Sequence, residues 1–346
     1  MIALLEWVDG FGMDTSVKGI FPTLDEALRY ANEDDKYVEF DFGLTDFDIY
    51  DVAHFMSIED ENKINEAKEK NVPVIVSALY CEDDPVASFL DFKNKDGERQ
   101  ITVKNKAIRV LNKADLVLVP SEVGRNLLLD NGITSPIQVC LPGVNLSRFS
   151  FTREDEKEIF YRYFGEDPNK KLVLALGEYS GNMDGINALI NAAKKCPNAI
   201  FYYIGCDEIA KKSWQLKRMM KHAPKNVHFK GIVPDDVYRS LLMNASLCLH
   251  IGYRPLGVVS LVDSMAAKSQ IIVRKQAIYP ELLEDGVTAY IAEFSETITS
   301  LIKDYLEGKI QPTIDNAYKL ISKQNLECLC DKLMWFYKQQ IQLKKN

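Results

Sequence analysis

Strand-length apolar runs alternate with helix-period stretches along nearly the whole chain, and this alternation limits the fold more than any other feature. In the first half the strand candidates cover residues 2–8, 37–42, 50–55, 72–79, 116–120 and 137–141. Between them the spacing predicts helices over 24–32, 58–70, 102–112 and 121–130, with Ser121 as an N-cap and Gly132 as a C-terminal stop. In the second half the strands read 172–176, 199–204, 227–230, 247–251, 270–273 and 289–292, separated by helices over 183–195, 207–222, 235–244 and 261–268. Strands that are apolar on both faces and joined by helices imply parallel sheets covered on each side. Two such series in tandem predict an α/β chain of two Rossmann-like domains, and 346 residues suffice for two cores.

The periodicity breaks at Leu141-Pro142-Gly143-Val144-Asn145, which marks the junction. The expected division is 1–145, 146–314 and a C-terminal segment 315–346. A polar amphipathic helix over about 152–164 follows the junction, and 316–342 reads as one long helix that would cross back to the first domain.

Lys and Arg total 42 against 50 Asp and Glu, a net charge of −8, so bulk electrostatic binding of nucleic acid is not expected. No apolar run approaches the roughly 20 residues of a membrane span. The opening stretch 2–8 contains Glu6 and lacks the basic flank and cleavage site of a signal peptide. Seven scattered cysteines with no Cys-x-x-Cys pair are expected to be reduced thiols of a cytoplasmic protein, with no metal site. Basic runs at 101–113 and 211–221 read either as solvated amphipathic helices or as contacts with an anionic membrane surface.

Several stretches, in order, resemble family 4 glycosyltransferases of the GT-B fold, in which two Rossmann-like domains face a cleft. They are Asp48-Ile49-Tyr50-Asp51-Val52-Ala53-His54, the run from Ala114 to Ser121, Leu141 to Asn145, Leu174-Ala175-Leu176-Gly177 with Asp184-Gly185-Ile186, Asn226 to Pro234, Asp263-Ser264-Met265-Ala266 and Glu284 to Tyr290. The subset most resembled makes bacterial glycolipids and other cell-envelope glycoconjugates. The resemblance implies transfer of a hexose, with retention, from a nucleotide-sugar to an envelope glycolipid or glycan at the inner membrane face. It implies no metal and no cofactor beyond the nucleotide-sugar substrate. The leaving pyrophosphate would be met by helix N-termini, backbone amides and basic side chains.

On the donor side the expected residues are Gly177, Glu178, Arg254, Gly257, Val258 and Asp263, with Asp263 on the ribose and Arg254 as a bidentate phosphate partner. On the acceptor side they are the Gly10–Gly12 turn, Glu82 and Asp83, and His54 is the candidate at the reacting carbon. The residues alone leave plainer roles open: a strand–helix turn at Gly10–Gly12, a buried structural His54, and a solvated loop at Glu82, Asp83 and Asp84.

Residue by residue the chain departs from the family pattern. Glu178 stands where many members have Arg, Asp184-Gly185 replaces Lys-Gly, Pro255 lies where the first of two carboxylates belongs, and Leu79 aligns with the expected histidine. Exchanging a cation for an anion about 4 Å from a phosphate shifts the interaction by roughly 2 kcal/mol even in water. A second reading follows: a catalytically silent homologue that partners an active glycosyltransferase or binds its acceptor.

Overall fold

The computed structural model describes residues 2–6, 39–42, 47–55, 58, 61–80, 86–93, 99–151, 153–176, 183–205, 214–231, 233–251, 258–275 and 281–345. Two units emerge: one holds the described residues up to Gly143 together with the chain from Gln324 onward, the other Val144–Lys323.

In the first unit six parallel strands lie side by side: β1 (Ile2–Glu6), β2 (Glu39–Phe42), β3 (Val52–Phe55), β4 (Val74–Ser77), β7 (Leu116–Val119) and β8 (Ile137–Val139), ordered β2-β1-β3-β4-β7-β8. β3, β4 and β7 are buried along their whole length, which is why they read as continuous apolar runs. Asp115 fixes the approach to β7. It accepts from the Val74 amide at 2.8 Å and from Lys68 of helix Glu61–Glu69 at 2.7 Å, with Lys344 of the last helix 3.8 Å away.

Helix Leu326–Lys345 returns to this unit. Leu329, Cys330, Leu333, Met334, Phe336 and Tyr337 pack with Val52, Ile75, Tyr80, Leu116, Leu118 and Cys140. Gly143 admits it: a Cβ there would lie 2.8 Å from the Leu329 Cβ and 3.0 Å from the Asn325 carbonyl.

The second unit is a six-stranded parallel sheet of β9 (Leu172–Leu176), β10 (Ile200–Ile204), β11 (Val227–Lys230), β12 (Ala245–His250), β13 (Gln270–Arg274) and β14 (Tyr290–Ala292), ordered β11-β10-β9-β12-β13-β14. Renumbered within the unit this is 3-2-1-4-5-6, the doubly wound dinucleotide-fold order. One face carries the core of helices Met183–Lys195, Trp214–Lys221 and Ser295–Leu306, through Ile186, Leu189, Leu216, Ile298 and Ile302. Five cysteines, Cys140, Cys196, Cys248, Cys328 and Cys330, are free thiols, and among the described residues no group of acids, His and Cys could hold a metal. No described helix is long and apolar enough to cross a membrane.

Four expectations change. Residues 101–103 are strand, not helix: β5 (Ala87–Lys93) and β6 (Arg99–Val103) form an antiparallel hairpin, and the helix is only Asn105–Leu111. The β-branched run Ile101-Thr102-Val103 follows its own preference there. The stretch 316–342 is two helices, Ile314–Ile321 and Leu326–Lys345, because the Asn325 side chain accepts from the Cys328 amide at 2.9 Å and starts a new helix. Helix Ile314–Ile321 stays with the second unit, held by Gln270, whose amide exchanges two hydrogen bonds with Thr313 at 2.8 and 2.9 Å. The helix expected over 152–164 is broken at Glu158 into Glu154–Lys157 and Ile159–Phe164.

Candidate functional site

In doubly wound sheets a ligand sits beyond the carboxyl ends of the strands where the order reverses. In the second unit that point lies between β9 and β12, at Leu176 and His250, where helices Met183–Lys195 and Val258–Ala266 begin. Each helix points the positive end of its dipole toward that edge, which suits an anion. Val258, the first described residue of its helix, is fully buried. At the end of β12, His250 Nε2 lies 3.1 Å from the Ser264 hydroxyl, which itself donates to the Ser260 carbonyl at 2.7 Å. The Ser264 proton being spent, His250 donates through Nε2; burial depresses its pKa to about 4, so it stays neutral.

Asp263 sits in the second turn of the same helix and is 7% exposed. Its carboxylate accepts from the Tyr238 hydroxyl at 3.2 Å and faces Arg148 at 3.9 Å. Arg148 also pairs with Asp235, and its carbonyl accepts from Arg239 Nε at 2.7 Å. Burial pushes Asp263 up to about 6 against the opposing pull of Arg148 and Tyr238. Burial alone would lower Arg148, but Asp263 and Asp235 hold it above its ordinary value. The carboxylate expected on a ribose is therefore turned into a network that joins helices Asp235–Asn244 and Val258–Ala266 to the turn Leu146–Phe149. Sequence reading missed Arg148, Asp235 and Tyr238 as its partners, because 115 residues separate Arg148 from Asp263 and no local pattern links them.

In the first unit the order reverses between β1 and β3. His54 on β3 is fully buried. Its Nδ1 lies 2.7 Å from the Tyr337 hydroxyl and its Nε2 2.8 Å from Ser77 Oγ. Burial lowers its pKa to about 3, so it is neutral. Both nitrogens are engaged and none reaches solvent, which corrects the expectation of His54 at the reacting carbon: it fastens helix Leu326–Lys345 to β3. Just past β4, Leu79 is fully buried with φ of 66°, and Tyr80 donates to the Cys140 carbonyl at 2.7 Å. Ser121 caps helix Glu122–Asp130 as expected, accepting from the Gly124 amide at 3.1 Å.

Gly10, Gly12, Glu82, Asp83, Gly177, Glu178, Arg254 and Gly257 lie outside the described residues, as do Asp84 and Pro255. In the basic run 101–113, two of the four cations are engaged within their own unit. Arg109 and Lys113 both pair with Glu61 at 2.7 Å, and Lys113 also donates to Asn65 at 2.6 Å.

The family described as "Glycosyl transferases group 1" matches residues 170–306. A processive diacylglycerol alpha-glucosyltransferase of Acholeplasma laidlawii is 23% identical over 299 residues, covering 86% of this chain and 88% of that protein. Among solved structures, Anabaena HepE in complex with UDP-glucose superposes with a TM-score of 0.71 at 15% identity, over 98% of this chain and all of the other. WaaG, a glycosyltransferase involved in lipopolysaccharide biosynthesis, gives 0.62 at 15% identity over 96% and 98% of the two chains.

Proposed function

We propose that this chain, with its GT-B fold and a segment matching the glycosyl transferases group 1, transfers a hexose from a nucleotide-sugar, with retention, to an envelope glycolipid or glycan. The observation that carries the reading is the 3-2-1-4-5-6 sheet of the second unit, with two helices beginning at its β9/β12 reversal inside the segment matched by the family. In the transfer the bond from the anomeric carbon to the diphosphate breaks, a bond to an acceptor hydroxyl oxygen forms, and the hydroxyl proton leaves with the diphosphate. The chain's task is to stabilise charge on the departing diphosphate. The N-terminal amides of helix Val258–Ala266, with Arg254, Gly257 and the Gly177–Glu178 segment ahead of helix Met183–Lys195, take that role. The Gly10–Gly12 turn with Glu82 and Asp83 takes the acceptor side. Asp263 acts from behind, holding helix Val258–Ala266 in place through Tyr238 and Arg148. A glycolipid acceptor accords with the diacylglycerol substrate in the name of the Acholeplasma relative, and it brings the protein to the membrane face.

Calorimetric titration with UDP-, GDP- and ADP-sugars tests the donor. Micromolar binding of one of them, lost in Arg254→Ala, is expected, and proton NMR of the product should show the anomeric configuration retained. Binding of none would remove the proposal.

One observation favours a second reading, the silent partner. Leu79, aligned with the family's histidine, is fully buried and apolar, so it offers no polar contact to a sugar. Absence of any donor binding together with co-purification of an active glycosyltransferase would select it.

A further inference from the structure

Helix Trp214–Lys221 has an outer face that the proposed transfer does not use. Inward, Leu216 is fully buried, and Met219 and Met220 pack against the same core. Outward, Trp214 is 71% exposed, flanked by exposed Lys217, Arg218 and Lys221. The Arg218 guanidinium lies over the indole, 5.8 Å from its centroid. Lys217, Arg218, Lys221 and the following Lys225 pair with no described carboxylate. From Lys211 to Pro234 the chain itself has no Asp or Glu, in a protein of net charge −8. The Asn226 amide donates to the carbonyls of Ala193, Cys196 and Ala199 at 3.1, 3.2 and 3.0 Å. That fastens the residue after Lys225 to the end of helix Met183–Lys195, where Lys194 and Lys195 are also exposed.

A solvated charged face needs no indole at its centre. Trp with a surrounding ring of cations fits the interface of an anionic bilayer, where the ring settles at headgroup depth and ammonium and guanidinium groups meet lipid phosphates. We propose that this face, Trp214 with Lys217, Arg218, Lys221 and Lys225, docks the protein on an anionic lipid bilayer. The proposal rests on the glycolipid-acceptor reading for its purpose, but it uses none of the residues assigned to donor or acceptor.

The test is flotation with vesicles of phosphatidylglycerol mixed into phosphatidylcholine, against phosphatidylcholine alone. The wild-type chain should float with the anionic vesicles only, with a blue shift in tryptophan emission that Trp214→Phe abolishes. The triple variant Lys217→Gln, Arg218→Gln, Lys221→Gln should partition roughly a hundredfold more weakly. A control removing three exposed lysines elsewhere, Lys323→Gln, Lys338→Gln, Lys345→Gln, should float nearly as well as wild type. Equal flotation of the two triple variants, or no flotation of the wild type, would overturn the proposal. So would loss, in the first triple variant, of binding to duplex RNA with vesicle binding intact. Donor calorimetry on the same preparations reads the transfer reaction separately, so failure of one proposal is not mistaken for failure of the other.

Discussion

Replacing His54 by Gln tests whether the last helix is tied to β3 by a neutral, buried imidazole. In the folded chain its pKa is about 3 against an ordinary 6.5. Above pH 6.5 both folded and unfolded chains hold it neutral, and its stabilising contribution is complete. As pH falls below 6.5 the unfolded chain takes up a proton that the folded chain refuses, and stability drains away until about pH 3. Each pH unit in that window costs about 1.4 kcal/mol, so by pH 5 the loss is about 2 kcal/mol. Gln does not titrate. At pH 7.5 His54→Gln should be less stable by about 1–3 kcal/mol, because Tyr337 and Ser77 lose well-placed partners in a dry core. At pH 5 that deficit should shrink by about 2 kcal/mol. Urea unfolding at the two pH values gives the difference, and hydrogen exchange of peptides spanning 326–345 locates it in the returning helix. A deficit unchanged between pH 7.5 and 5 would mean that the folded chain takes up the His54 proton as readily as the unfolded chain, and the assignment of a neutral clamp would fall.

Gly143→Ala should lower stability by about 1–3 kcal/mol in thermal unfolding, since the new methyl meets Leu329 Cβ at 2.8 Å and the backbone carbonyl of Asn325 at 3.0 Å. Asp263→Asn should behave with the opposite pH sense to the histidine. Its folded pKa of about 6 lies above the ordinary 3.8, so its contribution is full below pH 3.8 and is lost as pH rises through 6. Between pH 4 and 7.5 the balance between wild type and Asp263→Asn should therefore move toward the variant by about 2.5 kcal/mol, read by urea midpoints. Ser121→Ala removes the cap on helix Glu122–Asp130 and should cost about 1 kcal/mol in the same assay.

The strands were the most legible part of the fold, for a physical reason. A parallel strand covered on both faces must be apolar throughout, so β9, written Leu172-Val173-Leu174-Ala175-Leu176, announces itself without a partner. Helix Met183–Lys195 was equally plain, since its inward residues Ile186, Leu189, Ala192 and Ala193 recur at helical spacing. Elements whose identity depends on a neighbour were not. The hairpin β5–β6 gains its structure from cross-strand pairing such as Phe89 with Ile101, and Ile101-Thr102-Val103 taken alone continues a helical pattern. Helix Ser295–Leu306 was not anticipated either; its buried Ile298, Thr299 and Ile302 mix polar and apolar types on one face.

The candidate site follows the same division. That His54 could be buried and hydrogen-bonded was readable from its place on an apolar strand, but Tyr337, 283 residues away, was not. The two basic runs make the contrast sharpest. Residues 101–113 and 211–221 looked alike, each dense in Lys and Arg and free of acids. In three dimensions Glu61, from a helix some fifty residues earlier, takes both Arg109 and Lys113, so the positive field of the first run is reduced at its C-terminal end. No described carboxylate is paired with Lys217, Arg218 or Lys221, and the stretch from Lys211 to Pro234 supplies none of its own. What a charged helix can bind is decided by which distant side chains the fold brings against it. Similar composition yields a partly paired run in one unit and a cationic face around an exposed indole in the other.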